Sequence, residues 1–332
     1  MSKFAVIGDI HYGVKNWDVE FKLQVKDFFD SVIEKCLGNQ IDQVIFLGDY
    51  FHDRTKIPVN EISPALTLYK SFESFFKKIY LITGNHDMGT NDSNDGRNSI
   101  AMFSSEITTV VPNMMDAGNI VLVSYITDEK ILDVIRDGCV RPYLMGHFAH
   151  SNYYPECVKE TLIADKDIAR YRKVISGHLH TPSRHTYTGG EYINLGTPFP
   201  LTRADKQGRW CIFDDVTGEV TYIPYKSLIE FVTVEVGDVI SEDKIRGNCV
   251  TILFSMTDNV KPYAQKIAEM KPLEIKYTSK VSASQVIKQS ADTKKDEKIS
   301  FMSILQQEVA GADIEKRDKE QVVKFLSKFT FV

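Results

Sequence analysis

Residues 43–53, QVIFLGDYFHD, run from a short apolar stretch through a glycine to an aspartate in one phrase. Short apolar runs rich in Val, Ile, Leu and Tyr and closed by glycine read as buried strands. Glycine lets the chain turn sharply and brings backbone close to whatever the next residue binds. The phrase recurs along the first two hundred residues. KFAVIG precedes Asp9, KIYLITG precedes Asn85, PYLMG precedes His147 and YRKVISG precedes His178. Five strand ends carrying polar residues therefore point to one shared site.

Helical patterns lie between these phrases. Phe21, Val25, Phe28, Phe29, Val32, Ile33 and Cys36 recur at three- and four-residue intervals and form an apolar stripe. Leu66, Tyr69, Phe72, Phe76 and Ile79 suggest a second helix running toward the next strand. Such alternation predicts a layered α/β core. EYINLG, RWCIFDD and EVTYIPY follow closely, with TG and GG turn signals, and predict antiparallel strands that extend the sheets. The expected fold class is α/β, a sandwich of two sheets flanked by helices with ligands on the loops at one end.

All eight histidines lie between His11 and His185. Residues 1–226 accordingly read as a main domain, and 227–278 as a small α/β domain with strand, helix and strand patterns. Residues 279–298 are polar and read as a linker. Residues 299–332 recover amphipathic spacing at Met302, Leu305, Val309, Val322, Phe325, Leu326 and Phe329, and predict short docking helices.

The chain has 332 residues, 43% hydrophobic and 26% charged, ordinary for a globular protein with a sizeable core. Runs such as NIVLVSYI are too short to cross a bilayer, so no membrane association is expected. The start shows no export signal, and five scattered cysteines suggest a reducing compartment, so the expected location is cytoplasmic. A formal charge of −5 argues against a protein that grips long DNA by itself. GxxxxGK[ST], GxSxG and HExxH patterns are missing, which removes P-loop, nucleophile-elbow and zincin chemistry.

Asp9 and His11 in GDIH can point the same way from a strand end, offering one oxygen and one nitrogen to a divalent metal. Asp49 adds a carboxylate able to bridge two ions. Asn85 contributes an amide oxygen, and His147, His178 and His180 add three imidazoles. Seven ligands fill two sites if Asp49 is shared. The first uses Asp9, His11, Asp49 and His180, and the second Asp49, Asn85, His147 and His178. Paired cations about 3.5–4 Å apart suit phosphodiester hydrolysis, because they neutralise phosphate oxygens and acidify water. His86 adjoins a ligand without being needed as one, and is the candidate proton donor to the leaving oxygen. Asp87 either orients His86 or ties down the loop. His52 is placed to contact the phosphate or leaving side, and Arg54 to meet a phosphate. His150 and His185 have no required role.

Through GDIH, GDYFHD, GNHD, GH and GHLH the sequence resembles the calcineurin-like metallophosphoesterases. GDYFHDR, GHFAH, YINLGTPFPLTRAD and RWCIFD make it similar, more narrowly, to DNA double-strand-break repair nucleases such as the nuclease component of bacterial SbcCD, and to T-even phage recombination endonuclease subunits. That resemblance implies a four-layer sandwich with two central mixed sheets, and manganese-dependent exonuclease and endonuclease activity on DNA, with Mg2+ as the other candidate cation. It also implies that Asp9, His11, Asp49, Asn85, His147, His178 and His180 bind metal, that His86 assists the leaving group and that His52 handles the DNA end. Residues 227–278 would correspond to a DNA-positioning cap. The tail would dock a coiled-coil ABC-type ATPase, and segments around 60–76 and 94–103 would pair two nuclease subunits in a heterotetramer. The competing expectation keeps the metals but makes the substrate a small phosphodiester or a phosphoprotein.

Overall fold

The computed structural model describes residues 2–89, 98–126, 130–138, 140–153, 162–205, 208–255 and 258–280. Its contacts divide the chain into two units, residues 1–230 and residues from 231 onward. All but the first two residues of the 279–298 linker, and the whole 299–332 segment, fall outside the described residues.

In the first unit, β1 (Lys3–Ile7), β2 (Gln43–Phe46), β3 (Lys78–Leu81) and β4 (Thr108–Val110) are mutually parallel. A second sheet holds β5 (Met114–Ala117), β6 (Ile120–Val123), β7 (Tyr143–Gly146), β8 (Lys173–Ser176), β9 (Ser183–Tyr187) and β10 (Gly190–Asn194), in the order β5-β6-β7-β8-β10-β9. The chain then returns to the first sheet through β11 (Arg209–Asp214) and β12 (Val220–Pro224), giving β12-β11-β1-β2-β3-β4. Both sheets are mixed, with parallel strands in the middle and antiparallel strands at one or both edges.

Parallel strands covered on both faces need apolar side chains on both faces, which explains the unbroken runs in the sequence. Phe4, Val6, Ile45 and Leu47 of the first sheet meet Ile120, Leu122, Met145, Ile175 and Ile193 of the second in one buried core. The opposite face of the first sheet is covered by α1 (Val19–Gly38) and α2 (Val59–Glu73), with Phe29, Phe46 and Phe72 in mutual ring contact. Asp18 caps α1 by accepting from the backbone of Glu20 and Phe21, which fixes where the helix starts.

Two expectations change. The second helix ends at Glu73, and Ile79 belongs to β3, because α2 and β3 are both apolar and their patterns run together. EYINLG forms β10, antiparallel to β9 as expected but also parallel to β8 in the second sheet, whereas RWCIFDD and EVTYIPY pair as an antiparallel hairpin in the first. Apolar alternation does not specify which sheet a strand joins.

The second unit contains β13 (Phe231–Glu235), β14 (Cys249–Phe254) and β15 (Glu274–Ser279), all parallel in that order. Val234, Val250 and Ile252 pack on Ile245 and Ile267 from two helices among the described residues, Glu242–Ile245 and Val260–Glu269.

Candidate metal centre

The register of the parallel strands builds the site. Ile7 lies opposite Phe46, and Phe46 opposite Leu81, so the segments bearing Asp9, Asp49 and Asn85 leave the first sheet side by side. Gly146 lies opposite Ser176, which brings His147 and His178 out together from the second sheet. Carboxyl ends of parallel strands are where such folds collect ligands.

Close packing dictates the glycines. A Cβ on Gly48, whose φ is +109°, would stand 2.4 Å from Nδ1 of His147. One on Gly84 would stand 2.2 Å from Oδ1 of Asp49. His11, Asp49 and His178 themselves adopt left-handed φ of 49°, 49° and 83°, a conformation side chains disfavour. Crossing hydrogen bonds hold them there: His11 N–H donates to the Asp49 carbonyl at 3.0 Å, and His178 N–H donates to the Asp9 carboxylate at 2.9 Å. Strain kept by several loops at once is typical of functional sites.

Seven side chains converge into two adjoining groups. Nε2 of His147, Oδ1 of Asn85 and Nδ1 of His178 form a triangle with sides of 2.9, 3.0 and 3.1 Å. Nε2 of His11 faces Nε2 of His180 at 3.0 Å, and Asp9 completes that second group. Oδ2 of Asp49 lies between them, 3.4 Å from His147 Nε2 and 3.7 Å from His11 Nε2. His147 Nδ1 sits 2.8 Å from the Leu47 carbonyl, which only accepts, so that nitrogen carries a proton and Nε2 is free to ligate.

The electrostatics fit divalent cations. Burial pushes the Asp9 carboxyl up to about 8, and the Asp49 charge adds to it while His147 opposes. Burial also disfavours a charged His147, yet Asp49 outweighs it and lifts the imidazole to about 9. Asp49 is held well below the usual carboxylate range; burial opposes its ionisation, but His147 beside it prevails. A proton on His147 thus occupies the electrostatic place of a cation, and metal and proton compete for the same nitrogen. Nδ1 of His11 is buried without a hydrogen-bond partner. Nitrogen and oxygen donors turned toward one another in a largely buried pocket suit first-row divalent ions.

His86 and His52 stand beside this cluster. His86 N–H donates to Asp49 Oδ1 at 2.8 Å, while its ring Nδ1 lies 2.6 Å from the His52 carbonyl. Nδ1 is therefore the protonated donor, and Nε2 is the atom left for exchange. The rings of His11 and His86 are 4.9 Å apart, and those of His52 and His86 are 6.0 Å apart. Burial, then His86, lowers the pKa of His52 and so favours the neutral ring. Asp87 accepts from the backbone of Tyr50, Phe51 and Gly84, so its geometry is that of a loop tie. Asp53 caps the turn through Thr55 and Lys56. Arg54 is half-buried. His150 and His185 lie together in a different cluster.

Two neighbours were not singled out from the sequence. Tyr125 packs beside both His147 and His178, with ring centroids 6.1 and 5.8 Å away. It ends an apolar run like those of the motifs but has no glycine before it. Asp205 sits 3.9 Å from His180 Nδ1 and is tied to the backbone of Leu201 and Thr202. It closes the YINLGTPFPLTRAD motif, but nothing in that stretch marks it as a metal neighbour, and the fold brings it to His180.

A family profile described as calcineurin-like phosphoesterase matches residues 2–182. The DNA double-strand break repair protein Mre11 of Methanocaldococcus jannaschii is 32% identical over 88 residues, covering 26% of this chain and 23% of that protein. This similarity spans about a quarter of the relative's length. A solved archaeal phosphodiesterase aligns over 67% of this chain and 99% of its own, at 15% identity and a TM-score of 0.39. Among the described residues, no helix is long and apolar enough to cross a membrane.

Proposed function

The chain belongs to the calcineurin-like phosphoesterase family, and on that premise we propose that it is a two-cation phosphodiesterase. The observation that carries this reading is the position of Asp49 Oδ2 between the His11 and His147 nitrogens. Asp9, His11, Asp49 and His180 would hold one cation, and Asp49, Asn85, His147 and His178 the other. Divalent cations bound there would screen the phosphate and acidify the attacking water.

The chain's own residues do the remaining work. Asp49 anchors the backbone of His86, and the His52 carbonyl fixes its Nδ1–H. Nε2, after taking up a proton from solvent, is then the atom that would deliver it to the departing oxygen as its bond to phosphorus breaks. His52, adjoining on the same side, contacts the substrate's leaving part.

Family membership supports phosphoester hydrolysis without favouring a polymer, so a small phosphodiester or a phosphoprotein is the broader-based reading of the substrate. The finer reading is DNA. It is favoured by the 88-residue similarity to Mre11 and by the GDYFHDR and YINLGTPFPLTRAD motifs. Under it, manganese is the cation, residues 227–278 position DNA, and a coiled-coil ABC-type ATPase docks the tail of a nuclease dimer. Sharing DNA contacts among several subunits would offset this chain's net charge of −5.

One activity panel tests both. The chain is assayed with manganese, magnesium or chelator on bis-p-nitrophenyl phosphate, a phosphoprotein, single-stranded DNA and linear duplex. Hydrolysis of the small diester with manganese, lost with chelator, is expected. Cleavage of duplex far faster than of the small diester selects the DNA reading. No cation-dependent hydrolysis of any substrate overturns the proposal.

A further inference from the structure

His150, Asp165 and His185 form a second convergence of metal-type donors, outside the centre described above. Their ligand atoms all lie within 4.8 Å of one another. His185 Nε2 is 2.9 Å, and His150 Nε2 3.1 Å, from the same Asp165 oxygen, Oδ1. The imidazole rings stand 4.5 Å apart at 66°. The residues are remote in sequence. His150 follows β7 by four residues, Asp165 opens the short helix Asp165–Ile168, and His185 lies on β9.

We propose that these three side chains form a separate site for a first-row transition-metal cation of the zinc type, distinct from the two-cation centre.

Three observations suit the trio to a cation. First, His150 is fully buried, and its Nε2 makes no aligned hydrogen bond although the carboxylate is close. That buried nitrogen carries a proton no acceptor takes at good geometry, and it stays unsatisfied until water reaches it or a cation replaces the proton. Second, the His185 ring is already oriented. Its Nε2–H donates to Asp165 at 2.9 Å while Nδ1 lies 3.1 Å from the Tyr153 hydroxyl, and because that hydroxyl can either donate or accept, the ring proton can pass to Nδ1 and leave Nε2 for a cation. Third, the site has the mixed polarity a metal needs. Tyr153 and Tyr192 pack around the two imidazoles, whereas the Asp165 side chain is 51% exposed and leaves the carboxylate open to solvent.

Two imidazoles and one carboxylate, with a position left for water, is a donor set zinc accepts. Tetrahedral zinc places its ligand atoms about 3.3 Å apart. The observed 2.9 and 3.1 Å separations from Asp165 would have to open by only a few tenths of an ångström. One contact must yield. Asn152 N–H donates to His150 Nδ1 at 3.1 Å, which places the ring proton on Nε2. Loading the site moves that proton to Nδ1 and gives up the Asn152 contact. The gain is a clip joining β9 and the Asp165 helix to the loop that begins at His147.

The test measures zinc bound per full-length chain, by metal analysis after gel filtration in zinc-containing buffer, for the wild type, Asp165→Asn and His185→Gln. Both substituted side chains reach solvent, and thermal unfolding in chelator verifies that each variant folds. Each variant is expected to retain one equivalent less than the wild type, whatever the two-cation centre binds, and to show a smaller zinc-induced rise in Tm than the wild type. Because the readout is a difference, failure of the phosphodiesterase reading would not erase it. Equal zinc content in all three proteins, or an undiminished Tm rise in both variants, would overturn the site.

Discussion

The protein carries two clusters of histidine and aspartate that differ chiefly in where the carboxylate lies. In the first, Asp9 and Asp49 are buried among imidazoles, and Asp49 reaches toward both nitrogen groups. In the second, a half-exposed Asp165 oxygen faces two imidazoles at the protein's edge. A buried carboxylate must be compensated by positive charge, so the first cluster stores a demand for cations. Water can satisfy Asp165, and the second cluster makes no such demand. Burial of the anion, more than the count of histidines, separates a centre suited to chemistry from one suited to a structural clip.

Asp49→Asn breaks the contrast most severely. It removes the anion between the two nitrogen groups, and cation-dependent hydrolysis is expected to fall to background while the zinc equivalent assigned to Asp165 persists. Metal analysis alongside the diester assay measures both.

His86→Gln sharpens it further, because it spares every candidate ligand. The expectation is a loss of about 10²–10⁴-fold in kcat with unchanged cation stoichiometry. A variant as fast as the wild type would remove His86 from proton delivery.

Asp205→Asn probes a smaller effect. Its carboxylate lies near His180 without reaching the pocket, so cation affinity should weaken by about 10–100-fold. Calorimetric titration would detect the change, and the His147 side of the centre should be little affected.

Glu73 offers the smallest effect and a control without cations. Burial opposes its ionisation, but hydrogen bonds from Lys70, Ser105 and Thr108 prevail and hold its carboxyl below the usual glutamate value. A folded pKa below the unfolded one contributes stability above the unfolded value, about 4.3, and that stability is lost as pH falls through the folded value. Glu73→Gln should therefore cost ~1–3 kcal/mol at neutral pH, with the difference shrinking toward strong acid in urea titrations. A difference independent of pH would remove the carboxylate's charge from the explanation.

Much of this organisation was legible in the sequence. Parallel strands covered on both faces give unbroken apolar runs, and side chains crossing between loops require glycine at Gly48 and Gly84. Those two constraints write strand, glycine and ligand as one phrase, and they brought Asp9, Asp49, Asn85, His147 and His178 into view together. Tyr125 escaped because its strand end lacks a glycine. Asp205 escaped although it ends the YINLGTPFPLTRAD motif, because it acts from a loop whose spacing does not point it toward His180. Asp165 is fifteen residues from His150 and twenty from His185, and no local pattern joins them. The end of α2 was blurred by Phe76 and Ile79, which continue its apolar spacing after the chain has already turned toward β3. Pattern shows what a local segment needs; pairings set by packing emerge only in the fold.

The most direct test is anomalous X-ray scattering at the manganese edge from crystals grown with manganese. Two peaks flanking Asp49 are expected, one contacting His11 and His180 and the other contacting Asn85, His147 and His178. A fully loaded crystal with no peak beside Asp49, or with one peak contacting only one of the two nitrogen groups, would contradict a shared two-cation centre.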